Sequence, residues 1–171
     1  DLSAFSNGVD DIPDDKKPDH ARVGEVLYRT AKELQGYISK LEEIRVPVIA
    51  AVHGGVIGGA LDLITACDMR FASDDAFFCI QEINIGMAAD VGTIQRLPKI
   101  IPDSKMREMA YTGRRMLADE AKDSGLVGEV YDTQEEMLDA VHKLAAEIAS
   151  KSPVAIYGLK AVMNYSRDHN V

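Results

Sequence analysis

Apolar residues recur at helical spacing in part of the chain and form continuous runs elsewhere. The spacing predicts an amphipathic helix over 22–44, where apolar positions return every three or four residues. The run 48–52 is continuously apolar, which is typical of a strand buried on both faces. Two further short strands are predicted over Met69–Ser73 and 76–80. A sheet that is covered on both faces indicates an α/β layered fold.

The remainder of the chain is predicted to be mainly helical. The predicted elements are a helical stretch from Asp90, helices over 104–111 and 119–124, a strand over 127–131, and helices over 133–150 and 152–167. Gly113 and Gly125 follow the two short helices, where a left-handed cap is favoured. Thr133 and Glu136 form a capping-box pattern at the start of the penultimate helix. Local residue chemistry therefore defines the ends of several helices.

We expect a single domain over 1–171 with three parts. Residues 1–21 are rich in aspartate and proline, which predicts a mobile acidic segment or, alternatively, a flap over a site. Residues 22–132 are expected to form the α/β core that holds the active site, and 133–171 a helical C-terminal part. The length is sufficient for one domain with a sizeable hydrophobic core.

The charge and composition exclude several classes of function. The chain has 19 basic and 28 acidic residues, and this net charge of −9 argues against nucleic-acid binding, which needs phosphate neutralisation by Lys and Arg. No apolar run has the length of a membrane span, and no signal peptide is visible. Cys67 and Cys79 are too few for a disulfide framework and are expected to be small core residues in a reducing compartment. The four histidines show no metal-ligand spacing, so we expect no metal site.

The candidate chemistry lies where an apolar run ends in a glycine cluster followed by a helix. Gly58 and Gly59 precede that helix, and the Gly59 N–H is one of the first-turn donors that could stabilise an oxyanion. Three carboxylates, Asp62, Glu82 and Asp90, follow in segments rich in apolar residues. Such acids suit proton transfer beside an oxyanion. A turn without a ligand and structurally paired acids are the alternatives at this point.

The motifs around these residues resemble the enoyl-CoA hydratase/isomerase (crotonase) superfamily. The resemblance runs from about residue 22 to the end, and it rests on the segments HGGVIGGALDLITACDMRFAS, FFCIQEINIGMAADVGTIQRLPKII, YTGRRMLADEAKDSGLVGEVYD and SPVAIYGLKAVM. It implies a crotonase-like spiral of ββα units with C-terminal helices. Family members are longer at both ends, so we expect this chain to be incomplete at both ends.

The acids indicate the branch of the superfamily. Enoyl-CoA hydratases carry glutamates at the positions of Asp62 and Glu82 and a glycine at that of Asp90. The acids found here, together with the motif QEINIGMAADVGTIQRLPK, are similar to the Δ3,5-Δ2,4-dienoyl-CoA isomerase subfamily. This resemblance implies an isomerase of unsaturated fatty acid β-oxidation. Such an enzyme moves a proton from C2 to C6 of a 3,5-dienoyl-CoA, through a dienolate held in an oxyanion hole, and releases 2,4-dienoyl-CoA.

The same resemblance implies roles for the site residues. The Gly59 N–H is an oxyanion donor, Glu82 acts at C2 and Asp90 at C6, or the reverse, and Asp62 holds or tunes the other two. The partner is an acyl-CoA thioester substrate, and no cofactor is expected because coenzyme A is part of that substrate. A homo-oligomer, trimer or hexamer, is implied without membrane insertion. The location would be mitochondrial or peroxisomal, or cytoplasmic if the protein is bacterial.

Alternatives stay open beside this interpretation. On the same scaffold, the chain could be a 2-enoyl-CoA hydratase or a Δ3-Δ2-enoyl-CoA isomerase, although Asp90 speaks against the hydratase. An inactive crotonase-like binding or scaffold protein is an alternative of another class. In the family, the first oxyanion donor is the residue just before the aspartate of a motif that ends in Asp-Leu. Asp1-Leu2 resemble the end of this motif, so the donor residue is absent from the given chain. We therefore expect this chain alone to be inactive.

Overall fold

The computed structural model of the chain describes residues 19–169. Its helices are α1 His20–Glu43, α2 Gly59–Thr65, α3 Thr93–Arg96, α4 Asp103–Thr112, α5 Ala118–Asp123, α6 Gln134–Ala149 and α7 Pro153–Ser166. Its strands are β1 Ile49–Val52, β2 Gly55–Ile57, β3 Met69–Ser73, β4 Phe77–Cys79, β5 Arg115–Leu117 and β6 Val130–Tyr131. Two short 3₁₀ helices are also present: Glu82–Ile85 lies between β4 and α3, and Leu97–Lys99 lies between α3 and α4.

The first four strands alternate between two sheets. One sheet has the order β1-β3-β6 with parallel pairing, and the other has the order β2-β4-β5, in which β2 and β4 are parallel and β5 is antiparallel to β4. The pairs β1–β2 and β3–β4 therefore each contribute one strand to each sheet before the chain turns into helical structure. This repetition is the ββα arrangement that the sequence resemblance implies.

The hydrophobic core joins α2, β4, α4 and β5. The largest fully buried apolar side chains are Phe78, Leu61, Leu97, Met109, Met116, Leu126, Met137 and Val127. Burying one side chain of this size stabilises the fold by roughly 1.5–3 kcal/mol. Leu61 and Ile64 lie on the buried face of α2, so the core fixes the orientation of this short helix.

Several elements predicted from local chemistry are confirmed. Gly113 and Gly125 have φ angles of 62° and 85°, as left-handed positions after α4 and α5 require. The Thr133 hydroxyl accepts a hydrogen bond from the Glu136 N–H at 3.2 Å at the start of α6. Ser152 caps α7 in the same way, with Pro at the first helical position.

The prediction that 48–52 forms a strand buried on both faces is wrong for the described part of the chain. All four residues of β1 are only half-buried, because β1 lies at the edge of its sheet and pairs with β3 alone among the described strands. The apolar stripe of α1 is also largely accessible: Val26 and Leu27 are more than half exposed, and no residue of this helix is buried.

Short strands and breaks account for the other differences. Neither β2, which lies within the glycine cluster, nor β5 is predicted from the sequence. Both strands have three residues, which is too short to show a hydrophobic period. The strand predicted over 127–131 is limited to Val130–Tyr131. The helical stretch from Asp90 is broken into α3 and a 3₁₀ helix, where Pro98 cannot donate a backbone hydrogen bond.

The predicted acidic segment 1–21 lies almost wholly outside the described residues, which begin with Asp19 as the N-cap of α1. That helix starts at His20, two residues earlier than expected. Among the helices of the described range, none is long and apolar enough to cross a bilayer.

A buried lysine ties the last helix to the sheet. Lys160 in α7 is 3% exposed, and its ammonium donates to the carbonyls of Leu41 and Val46 at 2.8 and 3.0 Å and to Asp68 Oδ2 at 2.8 Å. The same carboxylate oxygen accepts from the Val48 N–H at 2.7 Å. A charge so far from water is stable only because each donor has a partner.

We therefore expect Lys160→Met in the full-length protein to lower the free energy of unfolding by about 3 kcal/mol, because it leaves Asp68 without its counter-charge. Urea denaturation measures this change. The matched control is Lys151→Met, which removes an exposed lysine whose ammonium lies 3.8 Å from Glu147, and it should have a much smaller effect. Equal stability of the Lys160→Met variant and the wild type would contradict the assigned role.

Candidate active site

The carboxyl ends of two parallel strands bring the candidate residues together. β2 and β4 are in register with Ile57 opposite Cys79, and the Gly58 N–H donates to the Cys79 carbonyl at 3.0 Å. The chain leaves β2 directly into Gly59 and α2, and it leaves β4 toward Glu82. Residues that are distant in sequence therefore meet at one edge of the sheet.

Gly58 makes the closest approach in this region. Its φ and ψ angles are 54° and −119°, a conformation that side chains other than hydrogen strongly disfavour. A Cβ atom at this position would lie 2.9 Å from Glu82 Oε1. Glycine is therefore needed here both for the direction of the backbone and for the space that the Glu82 carboxylate occupies.

The amide of Gly59 is available to a ligand. Gly59 is the first residue of α2, where backbone N–H groups have no helical acceptor. Within residues 19–169, this N–H donates to no backbone carbonyl and to no side chain. A Cβ placed on Gly59 would meet no atom within 4 Å, so open space adjoins the residue. An amide in this state can stabilise negative charge on a carbonyl oxygen.

Glu82 is half-buried, and its carboxylate is incompletely paired. The Oε2 atom is buried and, among the described residues, has no hydrogen-bond partner. Burial raises the pKa of the Glu82 carboxyl above its ordinary value of 4.5, and the charges of Asp62 and Asp90 raise this pKa further. A buried polar atom without a partner is uncommon in folded proteins and is a feature of functional sites.

Asp62 is fully buried and links two helices. It is 1% exposed, and its Oδ1 atom accepts a hydrogen bond of 2.6 Å from the Thr93 N–H, at the start of α3. The carboxylate thus caps a helix other than the one that carries it. This contact fixes the segment after Asp90 relative to α2.

Asp90 lies at the outer side of this group. It is exposed, and its carboxylate has no hydrogen-bond or ion-pair partner in the described range. Its backbone carbonyl accepts a hydrogen bond of 2.6 Å from Gln35 Nε2 on α1. The neighbouring Met87 is 44% exposed, so the described residues do not enclose Asp90 in apolar surroundings.

The structure thus places Gly59, Asp62 and Glu82 around one turn, with Asp90 near enough for its charge to act on Glu82. Thr93 and Gln35 were not anticipated from the sequence. Thr93 contributes only its backbone amide, which no side-chain pattern reveals, and Gln35 lies outside every motif. Between residues 19 and 169, no three His, Cys, Asp or Glu side chains are grouped as a metal site.

Comparison with known proteins identifies the family to which this chain is similar. The family model for enoyl-CoA hydratase/isomerase matches residues 4–170. The mitochondrial Δ3,5-Δ2,4-dienoyl-CoA isomerase of Pongo abelii is 51% identical over 98% of this chain and 53% of its own length. The peroxisomal enzyme of the same name from Arabidopsis thaliana is 47% identical over 90% of this chain and 55% of its own length.

A solved structure confirms the predicted crotonase fold. A candidate enoyl-CoA hydratase from Thermobifida fusca, in complex with acetoacetyl-CoA, superposes with a TM-score of 0.85 at 26% identity, over 100% of this chain and 66% of that protein. The chain spans about half the length of the curated relatives it matches. The family match nevertheless covers almost the whole chain, and the chain therefore belongs to the enoyl-CoA hydratase/isomerase family.

Proposed function

We propose that the full-length protein is a Δ3,5-Δ2,4-dienoyl-CoA isomerase. The observation that carries the proposal is the buried Oε2 atom of Glu82, which has no partner among the described residues. The Oε1 atom of the same carboxylate occupies the space beside Gly58, the residue before the available amide of Gly59. A carboxylate with one unpartnered oxygen near an oxyanion donor suits removal of a proton from the carbon adjacent to a thioester carbonyl. The names of the relatives at 51% and 47% identity support the same reaction.

In the first step, the thioester oxygen accepts a hydrogen bond from the Gly59 N–H, and Glu82 removes a proton from C2. Glu82 is assigned to C2 because its carboxylate contacts Gly58, the residue before the oxyanion donor. C2 is bonded to the thioester carbonyl carbon, so the acid nearest the donor reaches it first. The electron pair moves into a dienolate whose charge rests on the thioester oxygen and extends to C6.

In the second step, C6 takes up a proton that Asp90 relays from solvent, and the dienolate collapses to the 2,4-dienoyl thioester. Asp90 is assigned to this end because it lies on a separate segment, outside the Gly58 turn. Its exposure allows the carboxylate to recover a proton from water after each turnover. Glu82 releases the proton it took, so the acids and the overall proton count return to their starting state.

Asp62 serves as a positioning residue in this scheme. Its carboxylate is occupied by the Thr93 amide and lies in the core, so it fixes the segment that follows Asp90. Its negative charge also raises the pKa of the Glu82 carboxyl, which makes Glu82 a stronger base. Position and charge are separable effects, because an amide at residue 62 would keep the hydrogen bond and lose the charge.

The proposal also covers the substrate class, the oligomeric state and the location of the protein. The substrate is an acyl-CoA thioester, and the proton shift requires no redox step, so coenzyme A enters only as part of the substrate. The complex of a structural neighbour with acetoacetyl-CoA supports this substrate class. We further propose a trimer or hexamer in mitochondria or peroxisomes, the location being supported by the names of the relatives.

Neutralising either proposed catalytic acid should abolish isomerisation in the full-length protein. Glu82→Gln removes the base, so neither exchange of the C2 proton with solvent nor formation of product should be detected. Asp90→Asn removes the acid at C6, so C2 exchange should persist without product. Product formation is measured by the increase in absorbance as the conjugated 2,4-dienoyl thioester forms. Hydration of an enoyl thioester would instead decrease the absorbance, because it removes conjugation. Turnover near the wild-type rate in either variant would contradict the assigned roles.

Removing the oxyanion donor should lower kcat by about 100- to 1,000-fold. Gly59→Pro deletes this N–H at the first position of a helix, where proline is tolerated. The matched variant Gly59→Ala keeps the N–H and adds a methyl group to open space. Steady-state kinetics compare the two. Equal losses of kcat in both variants would exclude the amide as the donor.

The pH dependence should respond to the charge on Asp62. Glu82 must be ionised to accept a proton, so kcat/KM should rise with pH through the raised pKa of its carboxyl. Asp62→Asn removes one of the charges that raise this pKa and keeps an oxygen for the Thr93 amide. The acidic limb of the kcat/KM profile should therefore move to lower pH. An unchanged or upward-shifted limb would show that Asp62 does not act on Glu82.

A further inference from the structure

We propose that Gln35 is a positioning residue for the second step of the isomerisation, because its amide holds the backbone of Asp90 and thereby places the Asp90 carboxylate at C6. The inference rests on the proposed function and adds to it a residue outside every catalytic motif. Gln35 lies on α1, 55 residues away from Asp90 in sequence.

The contact is short and specific. Gln35 Nε2 donates to the Asp90 carbonyl at 2.6 Å, and both residues line a cavity of about 280 Å³ between α1 and the start of α3. The Asp90 carboxylate has no partner of its own within the described chain. Its position is therefore determined by the backbone on either side of it. A side chain that fixes this backbone also fixes where the proton is delivered.

A second contact ties the same segment to α1. Arg96 donates to Ser39 Oγ at 3.0 Å and to Glu42 Oε2 at 2.8 Å, and the side chains of Arg96 and Glu42 are only 12% and 19% exposed. The guanidinium lies against Gly92, where a Cβ would approach Arg96 Nη1 to 1.7 Å. The segment from Asp90 to Arg96 is thus fastened to α1 at both ends.

Glu82 is held by different elements. The Asn84 amide donates to Gln81 Oε1 at 3.1 Å and to the Gly113 carbonyl at 3.4 Å, which fixes the 3₁₀ helix that carries Glu82 against the end of α4. The Glu82 carbonyl accepts from the Met87 N–H at 2.9 Å. None of these contacts involves α1. Loss of the Gln35 amide should therefore displace Asp90 and leave Glu82 in place.

Because Glu82 and Asp90 are held by different elements, loss of the Gln35 amide should affect the two proton transfers differently. A displacement of about 1 Å at a reacting group can lower a rate by about 100-fold. In the Gln35→Ala variant, C2 deprotonation by Glu82 should continue and reprotonation at C6 should slow. The dienolate would then return to substrate by taking a proton back at C2. In deuterated water this return adds deuterium to C2 of the recovered 3,5-dienoyl-CoA.

The experiment uses the full-length protein with 3,5-dienoyl-CoA in deuterated water. Product is measured by absorbance, and deuterium at C2 by mass spectrometry of the recovered substrate. For Gln35→Ala we expect kcat for isomerisation to fall about 10- to 100-fold, with KM and the rate of C2 exchange within about twofold of wild type. Gln35→Lys, which retains a donor, should recover part of the rate. Lys32→Ala, one turn away on the exposed side of α1, serves as the control and should match wild type.

Two results would overturn the inference. An isomerisation rate in Gln35→Ala equal to that of wild type would show that the contact does not position Asp90. Equal losses of C2 exchange and of isomerisation would show a general structural role for Gln35. A wild-type protein that catalyses neither exchange nor isomerisation would instead refute the proposed function, and the inference with it.

Discussion

The left-handed turn at Gly58 is the constraint on which the site depends. Its amide joins the ends of β2 and β4, its positive φ angle directs the chain into α2, and its missing side chain leaves room for the Glu82 carboxylate. Once α2 is directed this way, Leu61 enters the core and Asp62 reaches the amide of Thr93. One residue without a Cβ thus determines where the Gly59 amide and the carboxylates of Asp62 and Glu82 lie.

The buried Lys160 ammonium and the half-buried Glu82 carboxylate show a complete and an incomplete hydrogen-bond network in this fold. The Lys160 ammonium has three acceptors and joins α7 to the sheet, so its burial costs little stability. Glu82 Oε2 is buried without any partner in the described chain, and such an unpaired atom costs about 1–3 kcal/mol. The completed network supports the scaffold, while the incomplete one leaves one carboxylate oxygen open to the proposed reaction.

The three acids also differ in their supports. Asp62 is fixed by the core, Glu82 by the end of α4, and Asp90 by contacts to α1, a helix without a buried residue. Because each carboxylate is attached to a different element, its position can be perturbed separately. This arrangement is compatible with the proposed reaction, in which protons are exchanged at two carbons far apart on the same substrate.

The sequence by itself determined the elements whose signals are local: the span of α1, the cap positions Gly113 and Thr133, and the motif residues Gly59, Asp62, Glu82 and Asp90. Propensity and capping act within a few residues, so a pattern reveals them. Only the tertiary structure decided that β1 is half-buried, that β2 and β5 pair with β4, and that Asp62 binds Thr93 and Gln35 binds Asp90. Burial and pairing depend on neighbours brought together by folding, and contacts made through backbone groups leave no trace in the order of side chains.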